Sequence, residues 1–245
     1  MDRNLMSTSI CPFSTQARSK SAEILVSSFI ADPEFPCLGA KSALNRHRMR
    51  FGHYAALCDE TSVKSHCADL LAFSNEFPQP GVDPVSFVAT FASADVDEAQ
   101  FESLIWRHFQ LMHDADKRRF AWDPSVSADP AHKDFSLSVA GRAFFVVGLH
   151  PNASRMARRA PMPCLVFNFH NQFLSLKQSA KYGRMQTAIR ARDTALQGSV
   201  NPVLAMFGDA SEARQYSGRA VEENWLCPFR QGGGWSQPRD SKRPE

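Results

Sequence analysis

No CxxC pair occurs among the six cysteines, Cys11, Cys37, Cys58, Cys67, Cys164 and Cys227, which lie far apart along the 245-residue chain. That argues against a zinc ribbon, whose ligands come in close pairs. The opening string MDRNLMSTSICPFS lacks the apolar core of a secretion signal. A disulfide framework is therefore not expected, and the chain reads as a reduced, cytoplasmic protein. No run reaches the ~20 apolar residues needed to cross a bilayer, so no membrane partner is expected. Neither a Walker or Rossmann glycine loop nor a GxSxG string is present, which removes the common nucleotide-binding and serine-hydrolase signatures. Charge imbalance is also small. The net charge of +3 is too low to argue for nucleic acid, and the arginines are clustered rather than spread along a stripe.

What is there is a hydrophobic fraction of 43% with 19 phenylalanines, enough for one sizeable core. Residues 1–18 are polar and read as a flexible N-terminus, residues 19–229 as one domain, and the Gly- and Pro-rich segment 230–245 as a disordered tail. Ser19–Ile30 is a short amphipathic segment. Tyr54–Phe73 is expected to be helical, and Val85–Phe91 a strand. Ala94–Lys117 is the clearest helix, capped by Asp95 or Asp97, with Phe101, Leu104, Ile105, Phe109 and Met112 as its stripe. Phe135–Val139 and Arg142–His150 form a hairpin turning at Ala140–Gly141. A helix from about Leu174 to Leu196 is stopped by Gly198. The expected fold is α+β, a single domain with a modest antiparallel sheet around residues 135–173 flanked by helices.

The densest chemistry lies between Phe144 and Phe173. Read as strands, Phe144, Val146, Gly148 and His150 share one face of the first, while Val166, Asn168, His170 and Gln172 form a polar row on the second. Between them Pro151 and Asn152 predict a helix start, with Arg155, Arg158 and Arg159 crowding its first turns as an anion site. Upstream, Cys37 precedes Gly39-Ala40 and a helix-favouring run, where free N–H groups favour a thiolate. Downstream, GDASEARQYSG packs Asp209, Glu212, Arg214, Gln215 and Tyr216 together as a binding wall or an ion-pair network. Core histidines, a packed cysteine and a solvated arginine face are the plain alternative. Taken together, two histidines, a cysteine, clustered arginines and many phenylalanines describe a haem pocket.

The strings FPCLGAKSALNRHRMRFGHY, FFVVGLHPNASRMARR, VFNFHNQF, IRARD, GSVNP, FGDASEARQYSG and WLCPF, in this order, resemble the YqcI/YcgG family from about residue 30 to 229. That family includes haem-dependent N-hydroxylases of arginine and related guanidines. The resemblance implies a haem b monooxygenase acting on a guanidine or amine nitrogen of an arginine-like small molecule, with O₂ and an electron donor or with peroxide. For the iron it leaves two assignments open. In one, Cys37 is the thiolate ligand with His150 or His170 opposite. In the other, His150 is the ligand, with His170 and Asn168 controlling bound oxygen. Arg155 and Arg158 are then expected at the propionates, and Asp193, Asp209 or Glu212 against the cationic guanidine, Glu212 first because of its polar neighbours. Pairing into a homodimer is expected. A haem carrier or sensor without turnover, or a haem-free enzyme holding an anion at residues 150–159, are the competing readings.

Overall fold

The computed structural model describes residues 12–92, 95–179, 181–200 and 211–232. Five strands make one sheet in the order β1-β2-β5-β4-β3: β1 Met49–Tyr54, β2 Ser86–Phe91, β3 Leu137–Val139, β4 Arg142–Leu149 and β5 Cys164–Phe169. The class is α+β, as expected. The sheet is antiparallel except for β1 and β2, which run parallel. A parallel pair needs a long crossover, supplied here by helix α3, Glu60–Glu76, capped by Asp59. Tyr54 thus ends a strand rather than starting a helix. The pattern Met-Arg-Phe-Gly-His-Tyr, half-buried and broken by glycine, hid β1 from the sequence reading.

The β3–β4 hairpin turns at Ala140 and Gly141, with φ of 54° and 70°. Both lie in the left-handed region that a two-residue turn needs to match strand twist. One face of the sheet, carrying Phe87, Phe91, Phe144, Val146, Leu165, Phe167 and Phe169, packs under α3 and under α4, Glu98–Asp116. Asp97 and Gln100 close a capping box on α4, and Phe101, Ile105, Phe109 and Met112 of its stripe are fully buried. The opposite face carries Met49, Phe51, Val88, Val147, Leu149 and Val166. It packs against α1, Pro12–Ala31, and α2, Leu38–Asn45. Residues 12–18 therefore belong to a helix, not to a loose terminus; residues 1–11 and 233–245 lie outside the described chain.

Three further expectations change. Strand β5 stops at Phe169 and His170 begins α5, His170–Lys177, so His170 and Gln172 do not continue the strand's polar row. The segment after Pro151 is turn followed by one 3₁₀ turn, Met156–Arg158, not a helix start. The helix expected from Leu174 is two helices, α5 and α6, Lys181–Gln197.

The core also buries a histidine pair. The Cys58 backbone N–H donates to His108 Nδ1 at 3.1 Å, which leaves the His108 proton on Nε2. That proton meets Nδ1 of His66 at 3.1 Å. His66 must then carry its own proton on Nε2, which is buried without a hydrogen-bond partner, its ring edge-on to Phe167 at 4.9 Å. Burial lowers both imidazoles, His108 from 6.5 to about 4 and His66 well below its ordinary value. A histidine depressed on folding contributes stability above its unfolded pKa and loses it as pH falls toward the folded one. Between about pH 6.5 and pH 4.5 the fold should lose about 2–3 kcal/mol through His108. Urea unfolding at the two pH values checks this, because His108→Gln should remove that part of the acid loss; an equal loss in wild type and variant would refute it.

Candidate functional site

The sheet face opposite the aromatic core opens into a cleft of ≈340 Å³. Its floor follows from strand register. Met49 pairs with Ser86, Ser86 with Asn168, and Asn168 with Phe145, so one row of four side chains crosses β1, β2, β5 and β4 on the same face. All four line the cleft, with Val147, Val166 and Leu149 in the neighbouring rows. The walls are α2, the 3₁₀ turn, α5, α6 and α7, Ala213–Tyr216. Gly148 lets α7 come close to β4: a Cβ there would lie 2.8 Å from the Tyr216 carbonyl oxygen and 2.9 Å from the Phe101 ring.

Cys37 is the N-cap of α2, and its Sγ accepts from the Ala40 N–H at 3.4 Å. Burial nevertheless pushes its thiol up, opposed by the N–H groups of Ala40 and Gly39 and by the charge of Arg158. The helix terminus is real; desolvation outweighs it. Among the described residues lining the cleft, Cys37 is the only cysteine or histidine.

The arginines also line the cleft, each already tied to the protein. Arg155, buried, donates to Asp193 Oδ2 at 2.7 Å and to Ser199 Oγ at 3.0 Å and its carbonyl oxygen at 2.6 Å. Arg158 donates to the carbonyl oxygens of Gly148 at 3.0 Å and Gln215 at 3.3 Å, and burial lowers it to about 10. Arg159, grouped with them in the sequence, is exposed and donates to the Ala153 carbonyl instead.

Glu212 lines the cleft from just before α7, almost fully buried. Its Oε2 accepts from the Ser136 hydroxyl at 3.2 Å and lies 3.4 Å from the Tyr216 hydroxyl; Oε1 is 3.6 Å from His170 Nδ1. Burial pushes this carboxyl up to about 8 and lowers His170. Asn168 accepts from Ser86 Oγ at 2.7 Å, while Gln172 bridges to the Asp83 carbonyl and the Val85 N–H, so both amides hold the segment leading into β2 against β5 and α5.

The cleft thus gathers Cys37, Arg155, Arg158, Asn168, Asp193 and Glu212, with His170 in its second layer behind Glu212. It does not gather His150. That ring leaves β4 on the aromatic-core side, stacks on Phe101 at 4.4 Å and is buried. Asp209 lies outside the described residues. Gln215, named with Glu212 in the expected binding wall, does line the cleft; Ser86 was missed, because its role depends on register with Asn168. Among the described residues no group of three or more His, Cys, Asp and Glu is placed to hold a metal ion. A haem iron needs only one protein donor, so that observation concerns polydentate metal centres alone. The YqcI/YcgG family model matches residues 26–230. Nothing among curated proteins or solved structures matches.

Proposed function

This chain belongs to the YqcI/YcgG family, whose matched span contains every wall of the cleft, and we propose from that premise that the cleft holds haem b and N-hydroxylates a small guanidine or amine. The observation that carries the reading is the chemistry of the lining: one soft donor, Cys37, three arginines, Arg155, Arg158 and Arg190, and a buried carboxyl, Glu212, that no arginine among the described residues answers, around an apolar sheet floor. These residues fit the group. A flat macrocycle is complementary to an apolar floor, a thiolate is a suitable iron donor, and guanidinium N–H groups suit carboxylate side arms. When bound, haem supplies the oxygen-activating chemistry, with O₂ and an electron donor or with peroxide.

The protein's own residues do the rest. Cys37 would hold the metal: burial disfavours the free thiolate, while the Ala40 and Gly39 N–H groups and Arg158 favour it. Arg155 and Arg158 hold the anionic edge through N–H groups beyond those already donated. Glu212 orients the cationic nitrogen group, and its neighbours Ser136 and Tyr216 fix the carboxyl in one position.

Haem-reconstituted protein, reduced under carbon monoxide, is expected to show the red-shifted Soret band of a thiolate-ligated iron, and Cys37→Ala to lose it. Arginine or a smaller guanidine should then yield an N-hydroxy product. A protein that takes up no haem, or a Cys37→Ala variant with an unchanged reduced-CO spectrum, would overturn the assignment. Haem binding without turnover of any guanidine or amine would leave a carrier or sensor.

A further inference from the structure

We infer that cation binding at Glu212 is an exchange of the cation for a proton. The inference rests on the proposed reading of the cleft as a guanidine or amine site, and deepens it. Glu212 is 2% exposed and lines the cleft. Among the described residues no lysine or arginine pairs with it. The cleft's other carboxylate, Asp193, differs in this respect, because Arg155 answers it at 2.7 Å. Glu212 has only uncharged company: the Ser136 hydroxyl from the segment before β3, the Tyr216 hydroxyl from α7 and the His170 imidazole from α5. Neither Arg158 of the 3₁₀ turn, which donates to the Gly148 and Gln215 carbonyls, nor Arg190 of α6, which also lines the cleft, pairs with it. Asp123 and Asp134 act electrostatically on His170.

A buried carboxylate without a compensating charge is held in its neutral, protonated form. Burial moves Glu212 in that direction and keeps His170 neutral beside it. A guanidinium or ammonium ion supplies the missing charge. The carboxyl O–H bond then breaks, its proton goes to solvent, and N–H donors of the cation take its place. The site is uncharged before and after. One consequence is selectivity: a neutral isostere gains nothing from the ionised carboxylate, so the site separates cationic from neutral nitrogen groups by an amount that grows with pH.

The test is calorimetric titration of guanidinium chloride, far below denaturing concentrations, into the full-chain protein in pairs of buffers that differ in ionisation enthalpy. Close to one proton should be released per cation at about pH 6–7 and close to none by about pH 9, with affinity rising about tenfold per pH unit before it levels. Glu212→Gln should bind weakly and without proton release. Binding of wild type with equal affinity and no buffer dependence across this range would overturn the exchange while leaving the cation reading in place. No guanidinium binding at any pH would overturn both. Should Glu212→Gln fail to fold, the paired-buffer comparison on wild type decides alone.

Discussion

Replacing Glu212 by glutamine is expected to weaken guanidinium binding by about 2–5 kcal/mol, at least about thirtyfold, because it leaves a desolvated cation without its carboxylate. The same change should stabilise the fold in alkaline buffer. Glutamine keeps the size of the side chain and an oxygen for the Ser136 and Tyr216 hydroxyls, so packing against α7 is preserved. It removes a carboxyl whose folded pKa is raised by burial from 4.5 to about 8. A carboxyl raised on folding contributes stability that is fully present below its unfolded pKa and is lost as pH rises through the folded one. Between about pH 6 and pH 9 the wild type should lose about 2–3 kcal/mol through this group, and Glu212→Gln should not. Urea unfolding at about pH 6 and pH 9 tests the stability half, and guanidinium calorimetry the binding half. Opposite signs from one substitution would mark Glu212 as a residue kept for its chemistry at a cost in stability. A variant with wild-type affinity and a wild-type pH slope would remove it from the site.

The parts of this arrangement visible in the sequence are those governed by local periodicity. The α4 stripe and its Asp97 cap, the Ala140–Gly141 turn and the apolar face of Leu165, Phe167 and Phe169 each depend on residues a few positions apart. Misread features depend on competition between distant parts of the chain. His150 continues the β4 alternation faithfully and for that reason points at the aromatic core, where Phe101 stacks on it. No local signal says which face of a strand buried on both sides will meet a cleft. His170 looked like the next member of a strand row because Phe169 ends the strand only once α5 packs back toward α6. Pro151-Asn152 has the chemistry of a helix start, yet the Asn152 side chain donates to Asp95 Oδ1 and the Val96 carbonyl, and Ser154 to Glu98, so the segment is held as a turn by α4's approach. Cys37 was legible as a cap. That burial outweighs the cap's pull on its thiol was not, because the sheet-side cluster it packs against is assembled from distant parts of the chain.

The second large effect is expected at the Arg155–Asp193 pair. Arg155 donates to Asp193 at 2.7 Å with side chains 10% and 6% exposed, and ties the start of the 3₁₀ turn to α6 and to Ser199 just beyond it. Removing one partner leaves a charge without water or counter-ion, so Asp193→Ala should cost about 3–5 kcal/mol. Removing both, as Arg155→Met with Asp193→Leu, should return most of that stability, since a well-packed apolar pair of similar size is often no worse than a buried ion pair. Equilibrium unfolding of the single and double variants gives the comparison. An Asp193→Ala loss below about 1 kcal/mol would mean that the pair is solvated. The double variant then separates structure from function. If the pair serves only to join α6 to the sheet, the double variant keeps whatever the cleft binds. If Arg155 is retained to hold an anion at the rim of the cleft, a protein of near-native stability should lose haem, or any other anionic occupant, by about tenfold or more in affinity. A double variant that is stable and binds haem as wild type does would leave Arg158 and Arg190 as the described arginines of the cleft able to hold an anion.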